Sequence, residues 1–326
     1  MFLNPSFQNL AALSLLTGLV GCASTPQAIA PSPASTTATQ TSPQSNLPTV
    51  IATHPVLCDL TKQIAASTVN LKCLIDPGAD AHLYQPTPDD RQAIETSNLI
   101  LYGGYDFEPG LIKLIEATSN TAPKVAVGEV AVPKPQQFDE DGQTVTDPHV
   151  WHNAQNGVQM VKVISDNLAK LEPNNAQMYA DNAKKATTEL TQLDSWIKSQ
   201  VATIPESSRK LVTTHDAFGY YSQAYGLPIE GALGGISTEE APTAARVKEL
   251  VGEIKTAKVP TIFAEATINP KLIEAVANEA KVKVSDQELY ADGLGEAGSR
   301  GDTYLKMMMA NTEAIVKGLG GQFTPF

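Results

Sequence analysis

Basic residues are scarce in this chain of 326 residues, which has 23 Lys and Arg against 35 Asp and Glu and a formal charge of -12. Such an excess of negative charge repels nucleic acid and anionic lipid headgroups, so binding to nucleic acid is not expected. It suits a small cationic ligand instead. The length exceeds what one core usually holds, which predicts two lobes of ordinary domain size.

The start of the chain lacks both a basic residue before Lys62 and an apolar run long enough to span a bilayer. The short apolar run Leu10–Val20 ends in LVGC, where Cys22 follows small residues. This pattern resembles a bacterial lipoprotein signal, although the usual basic residues before the apolar run are missing. We expect residues 1–21 to be a signal peptide and Cys22 to carry a lipid anchor. The alternative is a buried apolar helix.

Residues 22–48 contain little that a core could bury, because Ser, Thr, Pro, Ala and Gln dominate the segment. Such a composition stays disordered and serves as a tether. It argues against a buried N-terminal helix. We therefore expect a protein anchored to the membrane by lipid, in the periplasm or at the cell surface.

Cysteine is rare, and only Cys58 and Cys73 follow Cys22. In an oxidising compartment, this pair with a separation of 15 residues favours a disulfide. Two buried free thiols are the alternative. A zinc site is the least favoured reading, since no second cysteine pair would complete it.

Runs of β-branched residues alternate with segments of helical spacing from residue 49 onward. TVIATH, VNLKCLID, NLILYGG and KVAVGE predict four strands in a first lobe, residues 49–171, and the last run leads into a polar acidic loop. KLVTTH, PIEGALGG, TIFAEA and VKVSDQ predict four more strands in a second lobe, residues 204–326. The fold class is therefore α/β, with parallel sheets in two (β/α)4 lobes.

The segment between the lobes, residues 172–203, has the composition of a long helix. Glu172–Val201 contains no glycine and a single proline, Pro173, in its first turn, where a helix tolerates it. At about 1.5 Å per residue such a helix reaches about 40 Å, enough to cross the molecule. We expect it to be the rigid connection between the lobes.

Histidine is also scarce, with five in the chain. Because ligands of parallel α/β sheets gather beyond the carboxyl ends of the strands, His54 and His215 are expected to face one cleft between the lobes. His82 follows a predicted strand, His149 follows the acidic loop, and Asp292 comes after the last strand. Three imidazoles and a carboxylate would hold a borderline divalent transition metal, but ligands from distant segments have no fixed spacing.

Six motifs occur in order from residue 49 to the C-terminus: PGADAHLYQPTPDD, LILYGGYDFEPGL, DPHVW, THDAFGYYSQAYGLP, VPTIFAE and GDTYLKMM. Together they resemble the metal-receptor lipoproteins of bacterial zinc and manganese ABC importers. The resemblance implies two (β/α)4 lobes joined by one long helix, with a metal held between them. It implies the metal ligands His82, His149, His215 and Asp292, and an ABC permease with its ATPase as partners.

The resemblance leaves the metal open between zinc and manganese. Manganese receptors usually resemble SEGAF, with glutamate as the third ligand, whereas this chain has THDAF with His215. A nitrogen in place of an oxygen makes the site softer, and zinc already exceeds manganese at most nitrogen and oxygen sites. We therefore predict Zn²⁺, with Mn²⁺ as the alternative.

Several other residues are expected near the metal. His54 is interpreted as a cleft-wall residue that bonds a ligand carboxylate, and Glu265 as an acceptor for a ligating imidazole; each has a satisfied or solvated polar group as its alternative. His152, three residues after His149, is expected at the surface or just behind the ligands. Trp151 and Tyr84 are expected to pack in the cleft.

Two classes of function fit these residues: a monomeric receptor that captures a metal and docks onto a permease, and a zinc hydrolase. A hydrolase needs an open coordination position and a general base, and the sequence contains neither H-E-x-x-H nor G-x-S-x-G. Four protein ligands would close the site, so we expect no enzyme activity. A metal-binding adhesin with the same fold is a third, weaker alternative.

Overall fold

A computed structural model of the chain describes residues 47–140 and 142–326. The predicted signal peptide, Cys22 and all but the last two residues of the predicted tether lie outside the described residues. Within the described ranges, no helix combines the length and hydrophobicity that crossing a bilayer requires.

The sheet of the first lobe contains the strands β1 (Thr49–Ala52), β2 (Asn70–Cys73), β3 (Leu99–Tyr102) and β4 (Lys124–Ala126). They are parallel and pair in the order β2-β1-β3-β4. The helices are α1 (Pro55–Ala65), α2 (Pro88–Thr96), α3 (Pro109–Ala117) and α4 (Val127–Ala131). The central strands β1 and β3 are apolar and buried almost throughout, as expected of parallel strands covered on both faces.

The acidic segment after the first lobe's sheet is a hairpin, where the sequence predicted a loop. Strands β5 (Gln137–Glu140) and β6 (Gln143–Thr146) pair antiparallel, with Gln137 opposite Thr146. Gly142 has a φ of 80°, the left-handed conformation that tight hairpin turns require. The Asp-Gly step in the sequence was the signal for this turn. A short 3₁₀ turn, Val150–His152, follows the hairpin.

A long helix connects the lobes, as predicted. Helix α5 (Ala154–Leu171) comes first, then a 3₁₀ turn at Pro173–Asn175, then α6 (Ala176–Val201) with 26 residues. The predicted start at Glu172 was too early, because the residue before a proline avoids the helical conformation and Glu172 has a φ of -128° and a ψ of 75°. Helix α6 packs against α1 and α5, and also against two helices of the second lobe, Gly219–Tyr225 and Tyr304–Gly318.

The second lobe repeats the arrangement of the first. Its strands are β7 (Leu211–Thr213), β8 (Ile229–Ala232), β9 (Thr261–Ile262) and β10 (Lys283–Val284). Its helices are α7 (Gly219–Tyr225), α8 (Ala244–Ala257), α9 (Lys271–Ala280) and α10 (Tyr304–Gly318). β7 pairs parallel with β8, and β9 with β10. The backbone N–H of Phe263 donates to Val212 O at 2.9 Å and joins the two pairs in the order β8-β7-β9-β10.

Because of this repeat, β1 and β7 occupy equivalent positions inside their sheets. In each lobe the next strand of the chain lies on one side of this first strand, and the strand after that lies on its other side. Polar residues just beyond the carboxyl ends of such strands are the usual ligand-binding residues of α/β sheets. His54 follows β1 and His215 follows β7. The two-lobe α/β fold that the sequence predicts is confirmed.

The structure contains the predicted disulfide. Cys58 of α1 is bonded to Cys73 at the end of β2, with their Cα atoms 5.7 Å apart. The bridge fastens α1 to the strand that leads directly into the segment carrying His82. The alternative of two free thiols is therefore wrong.

Candidate metal centre

Four side chains from four separate segments meet in the protein and form what we call the His₃Asp cluster: His82, His149, His215 and Asp292. His82 lies in the loop between β2 and α2, and His149 precedes the 3₁₀ turn after the hairpin. His215 follows β7, and Asp292 lies between β10 and α10. All four residues are at most 3% exposed. The sequence prediction thus named the four residues that the fold brings together.

The spacing of the cluster matches a four-coordinate ion. His149 Nε2 lies 3.2 Å from His82 Nε2 and 3.2 Å from Asp292 Oδ1. Asp292 Oδ1 is also 3.1 Å from His215 Nε2 and 3.7 Å from His82 Nε2. Bonds of about 2.0–2.1 Å to a tetrahedral zinc ion place neighbouring ligand atoms about 3.3 Å apart. These four separations are close to those between neighbouring ligands of a tetrahedral ion, and all four ligand atoms lie within 4.8 Å of one another.

The charges of the cluster depend on one another. Burial by itself would raise the pKa of Asp292, but the imidazoles of His215, His149 and His82 hold that pKa well below its ordinary value. Burial by itself would lower the pKa of His215, but Asp292 and Glu265 raise that pKa well above its ordinary value. Without a cation, protonated imidazole thus neutralises the buried carboxylate. A metal entering the cluster has to displace those protons.

Carboxylates behind two of the histidines fix the orientation of their rings. His149 Nδ1 donates to Asp147 Oδ1 at 2.8 Å, and the same oxygen accepts the backbone N–H of His149 at 2.9 Å. His215 Nδ1 hydrogen-bonds Glu265 Oε2. With the Nδ1 proton directed to a carboxylate, the lone pair of Nε2 faces the centre of the cluster. Glu265 thus accepts from an imidazole of the cluster, as the sequence predicted.

Asp147 was missed as a partner of His149 by the sequence prediction, although it lies two residues before that histidine in DPHVW. An acidic residue at that separation can accept from both the backbone and the ring of the histidine, as it does here. The DPHVW motif therefore already contained the carboxylate that orients the ring of His149.

An aromatic wall encloses the cluster on the side of the first lobe. The Phe107 ring meets His82 edge-on at a centroid distance of 5.1 Å and His149 at 5.7 Å. Trp151 lies 5.5 Å from the His149 ring and 4.7 Å from that of Phe107. Trp151 packs in the cleft as expected, whereas Phe107 was not among the predicted site residues. These rings exclude water and lower the local dielectric around the cluster.

Phe107 stands on a turn of unusual backbone conformation. Gly104, Tyr105 and Asp106 have φ angles of 83°, 52° and 58°, a left-handed stretch that is costly for residues with a Cβ. The turn is held by hydrogen bonds from Tyr105 N to Glu129 Oε1 at 2.9 Å and from Tyr105 Oη to Val132 O at 2.6 Å. The surrounding contacts thus fix the position of Phe107 against the histidines.

His54 does not have the role that the sequence suggested. The residue is fully buried, and neither ring nitrogen has a hydrogen-bond partner among the described residues, so the predicted bond to a ligand carboxylate is absent. Its ring packs against Phe107 at 5.2 Å and Trp151 at 5.3 Å, and burial lowers its pKa to about 3. His54 is therefore a neutral residue behind the aromatic wall.

In the first lobe, His54 and Glu108 occupy positions that correspond to those of His215 and Glu265 in the second lobe, but they do not hydrogen-bond each other. Glu108 follows β3 as Glu265 follows β9, and it accepts from Thr53 Oγ1 at 2.7 Å and from Gly103 N at 2.6 Å. Its Oε2 has no partner among the described residues, and burial raises its pKa to about 7. The two lobes thus share a backbone plan, but of the two equivalent residue pairs, His54 with Glu108 and His215 with Glu265, only the second is hydrogen-bonded.

His152 is buried, so of the two positions expected for it, at the surface or just behind the ligands, it occupies the second. Its Nε2 hydrogen-bonds Ala291 O at 2.9 Å, and its ring stacks on Phe218 at 4.5 Å. Because Ala291 precedes Asp292, His152 supports the backbone behind the carboxylate of the cluster. Tyr84, also predicted in the cleft, donates to Asp90 Oδ2 at 2.9 Å and so ties the loop of His82 to α2.

The family model for ZnuA, described as "Zinc-uptake complex component A periplasmic", matches residues 50–318. The manganese ABC transporter substrate-binding lipoprotein PsaA of Streptococcus mitis is 34% identical over 277 residues, which cover 83% of this chain and 88% of that protein. The zinc-binding protein TroA of Treponema pallidum is 33% identical over 276 residues, which cover 83% of this chain and 89% of that protein.

A solved structure of periplasmic zinc-binding TroA from Treponema pallidum superposes with a TM-score of 0.79 at 33% identity, covering 83% of this chain and 99% of that one. The relatives are substrate-binding proteins of ABC transporters and not enzymes, which confirms the expectation of no enzyme activity and excludes the hydrolase. The match over residues 50–318 and the shared two-lobe fold show that this chain belongs to the ZnuA family of metal-binding, substrate-binding proteins of ABC importers.

Proposed function

We propose that this protein is an extracytoplasmic zinc receptor that delivers the ion to the permease of an ABC importer. In this proposal His82, His149, His215 and Asp292 each contribute one ligand atom to the ion. The ion lies between the lobes, for which we retain the boundaries 49–171 and 204–326, with residues 172–203 as the connection. The ion is the transported substrate.

The observation that carries the proposal is the geometry of the His₃Asp cluster. Three nitrogens and one oxygen lie within 4.8 Å of one another, and carboxylates support two of the rings. A structural or transport zinc site is typically closed by four protein ligands, and zinc has no geometric preference from its d electrons. These features support tight binding with no position left open for a reacting water.

Zinc is favoured over manganese by the third histidine. Manganese usually seeks more oxygen ligands, and an imidazole in the third position raises the preference for zinc. Manganese is the alternative, because the name of PsaA assigns manganese to one relative while that of TroA assigns zinc to another at similar identity. The choice between the metals therefore rests on the chemistry of the ligands rather than on overall similarity.

The proposed location follows from the N-terminal segment and from the relatives. PsaA and the manganese-binding MntA of Halalkalibacterium halodurans are both named lipoproteins. We propose that Cys22 is lipidated after removal of residues 1–21 and that residues 22–48 tether the receptor to the membrane. The receptor would act as a monomer in the periplasm or at the cell surface, with a permease and its ATPase as partners.

Metal content tests the proposal. The mature protein would be purified from cells given equal supplies of zinc and manganese, and its bound metal would be measured by elemental analysis. We expect one zinc ion per chain in the wild type and none in the variant His82→Ala. A wild type without stoichiometric divalent metal, after metal has also been supplied to the purified protein, would contradict the receptor proposal.

A further inference from the structure

A hydrogen bond crosses the cleft at its outer side. Thr238 lies in the loop between β8 and α8 of the second lobe, and its Oγ1 donates to Asp80 Oδ2 of the first lobe at 2.7 Å. Both residues are half-buried, so the bond lies at the edge of the cleft where water has access. We call this bond the Thr238–Asp80 contact.

On the first-lobe side, the contact leads directly to His82. The other carboxylate oxygen of Asp80, Oδ1, accepts the backbone N–H of His82 at 3.0 Å and that of Leu83 at 3.4 Å. One carboxylate therefore holds the backbone of a metal ligand with one oxygen and the opposite lobe with the other. Any movement of Thr238 away from the cleft acts on the backbone that positions the His82 ring.

On the second-lobe side, the same loop is attached to the segment of His215. Gly234 N donates to Thr214 O at 2.8 Å, and Asp216 N donates to Gly235 O at 3.0 Å. A hydrogen-bonded connection thus runs from the backbone beside His215, through the loop, to the backbone of His82. It joins ligands of different lobes by a route outside the cluster itself.

The segment of His149 is attached to the second lobe in a different way. Trp151 Nε1 donates to Ala291 O at 3.2 Å, and Tyr304 Oη donates to Trp151 O at 2.6 Å. These three residues are at most 1% exposed, whereas Thr238 is half-buried and is followed by exposed Glu239. Hydrogen bonds that water can reach open at a lower free energy than those in a core. The attachment on the His82 side is therefore the less protected of the two.

A bound ion cannot leave while all four residues of the cluster stay in place, since each is at most 3% exposed. We infer that the Thr238–Asp80 contact is a latch that slows release of the metal by holding the His82 segment against the second lobe. This inference rests on the proposed receptor function. Thr238 is a positioning residue in it, since it acts on the ion through Asp80 and His82.

The test compares zinc dissociation from the wild type, Thr238→Val and Thr238→Ser. Each zinc-loaded protein is mixed with an excess of a chromophoric chelator, and zinc transfer is followed by stopped flow. Valine keeps the shape of threonine but loses the hydroxyl, so we expect dissociation about threefold to tenfold faster, the effect of one modest hydrogen bond. Serine restores the hydroxyl and is expected to restore the wild-type rate.

Two controls separate the latch from general loosening of the loop. Ser237→Ala removes the hydroxyl that accepts from Glu239 N within the same loop, and it is expected to release zinc at the wild-type rate. Thermal unfolding of the metal-free proteins is measured as well, and every variant is expected to be fully folded at the temperature of the dissociation experiment. Equal dissociation rates in the wild type and Thr238→Val, or equal acceleration in the valine and serine variants, would overturn the latch. Failure of the wild type to bind zinc would instead overturn the receptor function.

Discussion

The carboxylate of Glu265 accepts three hydrogen bonds, two from His215 and one from Thr214. Its Oε2 hydrogen-bonds the ring Nδ1 of His215, and its Oε1 accepts the backbone N–H of His215 at 3.0 Å and of Thr214 at 2.9 Å. Glu265 is fully buried. The ring is thereby fixed with Nε2 toward Asp292, 3.1 Å away. The carboxylate thus sets both the direction and the tautomer of the imidazole.

Glu265→Gln tests this relationship. The side-chain amide can keep an oxygen on the two backbone N–H groups, but its NH₂ then meets the Nδ1 proton of His215, and the favoured tautomer is lost. We expect zinc affinity to fall by about 10- to 100-fold, with one ion still bound per chain. Competition with a chelator of known affinity measures the change. Glu274→Gln, an exposed position on α9, is the control and is expected to bind zinc as the wild type does.

Much of the fold could be predicted because its strands are short apolar runs between helical segments. The hairpin of Gln137–Glu140 and Gln143–Thr146 was not predicted, since its polar composition resembles that of a loop. Only the Asp-Gly step indicated a hairpin there. The early start predicted for the long helix had a different cause: Pro173 suits a first helical turn, but it also keeps Glu172 out of the helix.

The four residues of the cluster could be predicted from sequence motifs. The roles of the residues that support them are set by tertiary contacts. His54 follows a central strand, as His215 does, and looked equivalent in the sequence; in the structure only His215 has a carboxylate on its ring. For His152 the sequence left open a surface position and one just behind the ligands; the ring of Phe218 covers it and places it behind the ligands. Such contacts join segments far apart in the chain, and the local sequence pattern does not contain them.

The two histidines of the DPHVWHN segment are expected to respond differently to substitution. His149→Ala removes one of four ligand atoms, so stoichiometric zinc binding should be lost. His152→Ala leaves a cavity beside Phe218 and breaks the bond to Ala291, so the free energy of unfolding should fall by about 2–4 kcal/mol while one zinc ion still binds. Calorimetric titration with zinc and urea unfolding of the metal-free proteins measure the two effects. Equal loss of binding in both variants would show that our assignment of His149 alone is wrong.

Glu108 is expected to make the metal-free protein less stable as the pH rises. Its pKa is about 7 in the folded protein against an ordinary 4.5, so between these values the folded state retains a proton that the unfolded state loses. Stability therefore falls with rising pH across this window, by roughly 3 kcal/mol from this group. Glu108→Gln removes the titration.

Urea unfolding at several pH values checks this prediction. The unfolding free energy of the wild type minus that of Glu108→Gln is expected to decrease between pH 4.5 and pH 7, because contributions from the histidines cancel in the difference. Glu116→Gln, at an exposed position on α3, should show no such trend relative to the wild type. A constant difference for Glu108→Gln would mean that the carboxyl group is not held protonated.

The disulfide is expected to stabilise the fold mainly by restricting the unfolded chain. Closing a loop with a sequence separation of 15 corresponds to about 3 kcal/mol in the loop-entropy estimate. Urea unfolding of the oxidised and reduced metal-free protein should show a difference of that size. Intact mass before reduction should be about two units below the value for free thiols. Alkylation of both Cys58 and Cys73 in the native oxidised protein would contradict the bridge.

The most direct test of zinc binding by the His₃Asp cluster is competition dialysis of the metal-free protein against equal concentrations of zinc and manganese, followed by elemental analysis. The wild type and His215→Glu are compared, because the substitution exchanges one nitrogen ligand for oxygen and leaves the other three residues in place. We predict one zinc ion per chain in the wild type and a smaller preference for zinc in the variant. Manganese retained by the wild type in the presence of equal zinc would contradict the account.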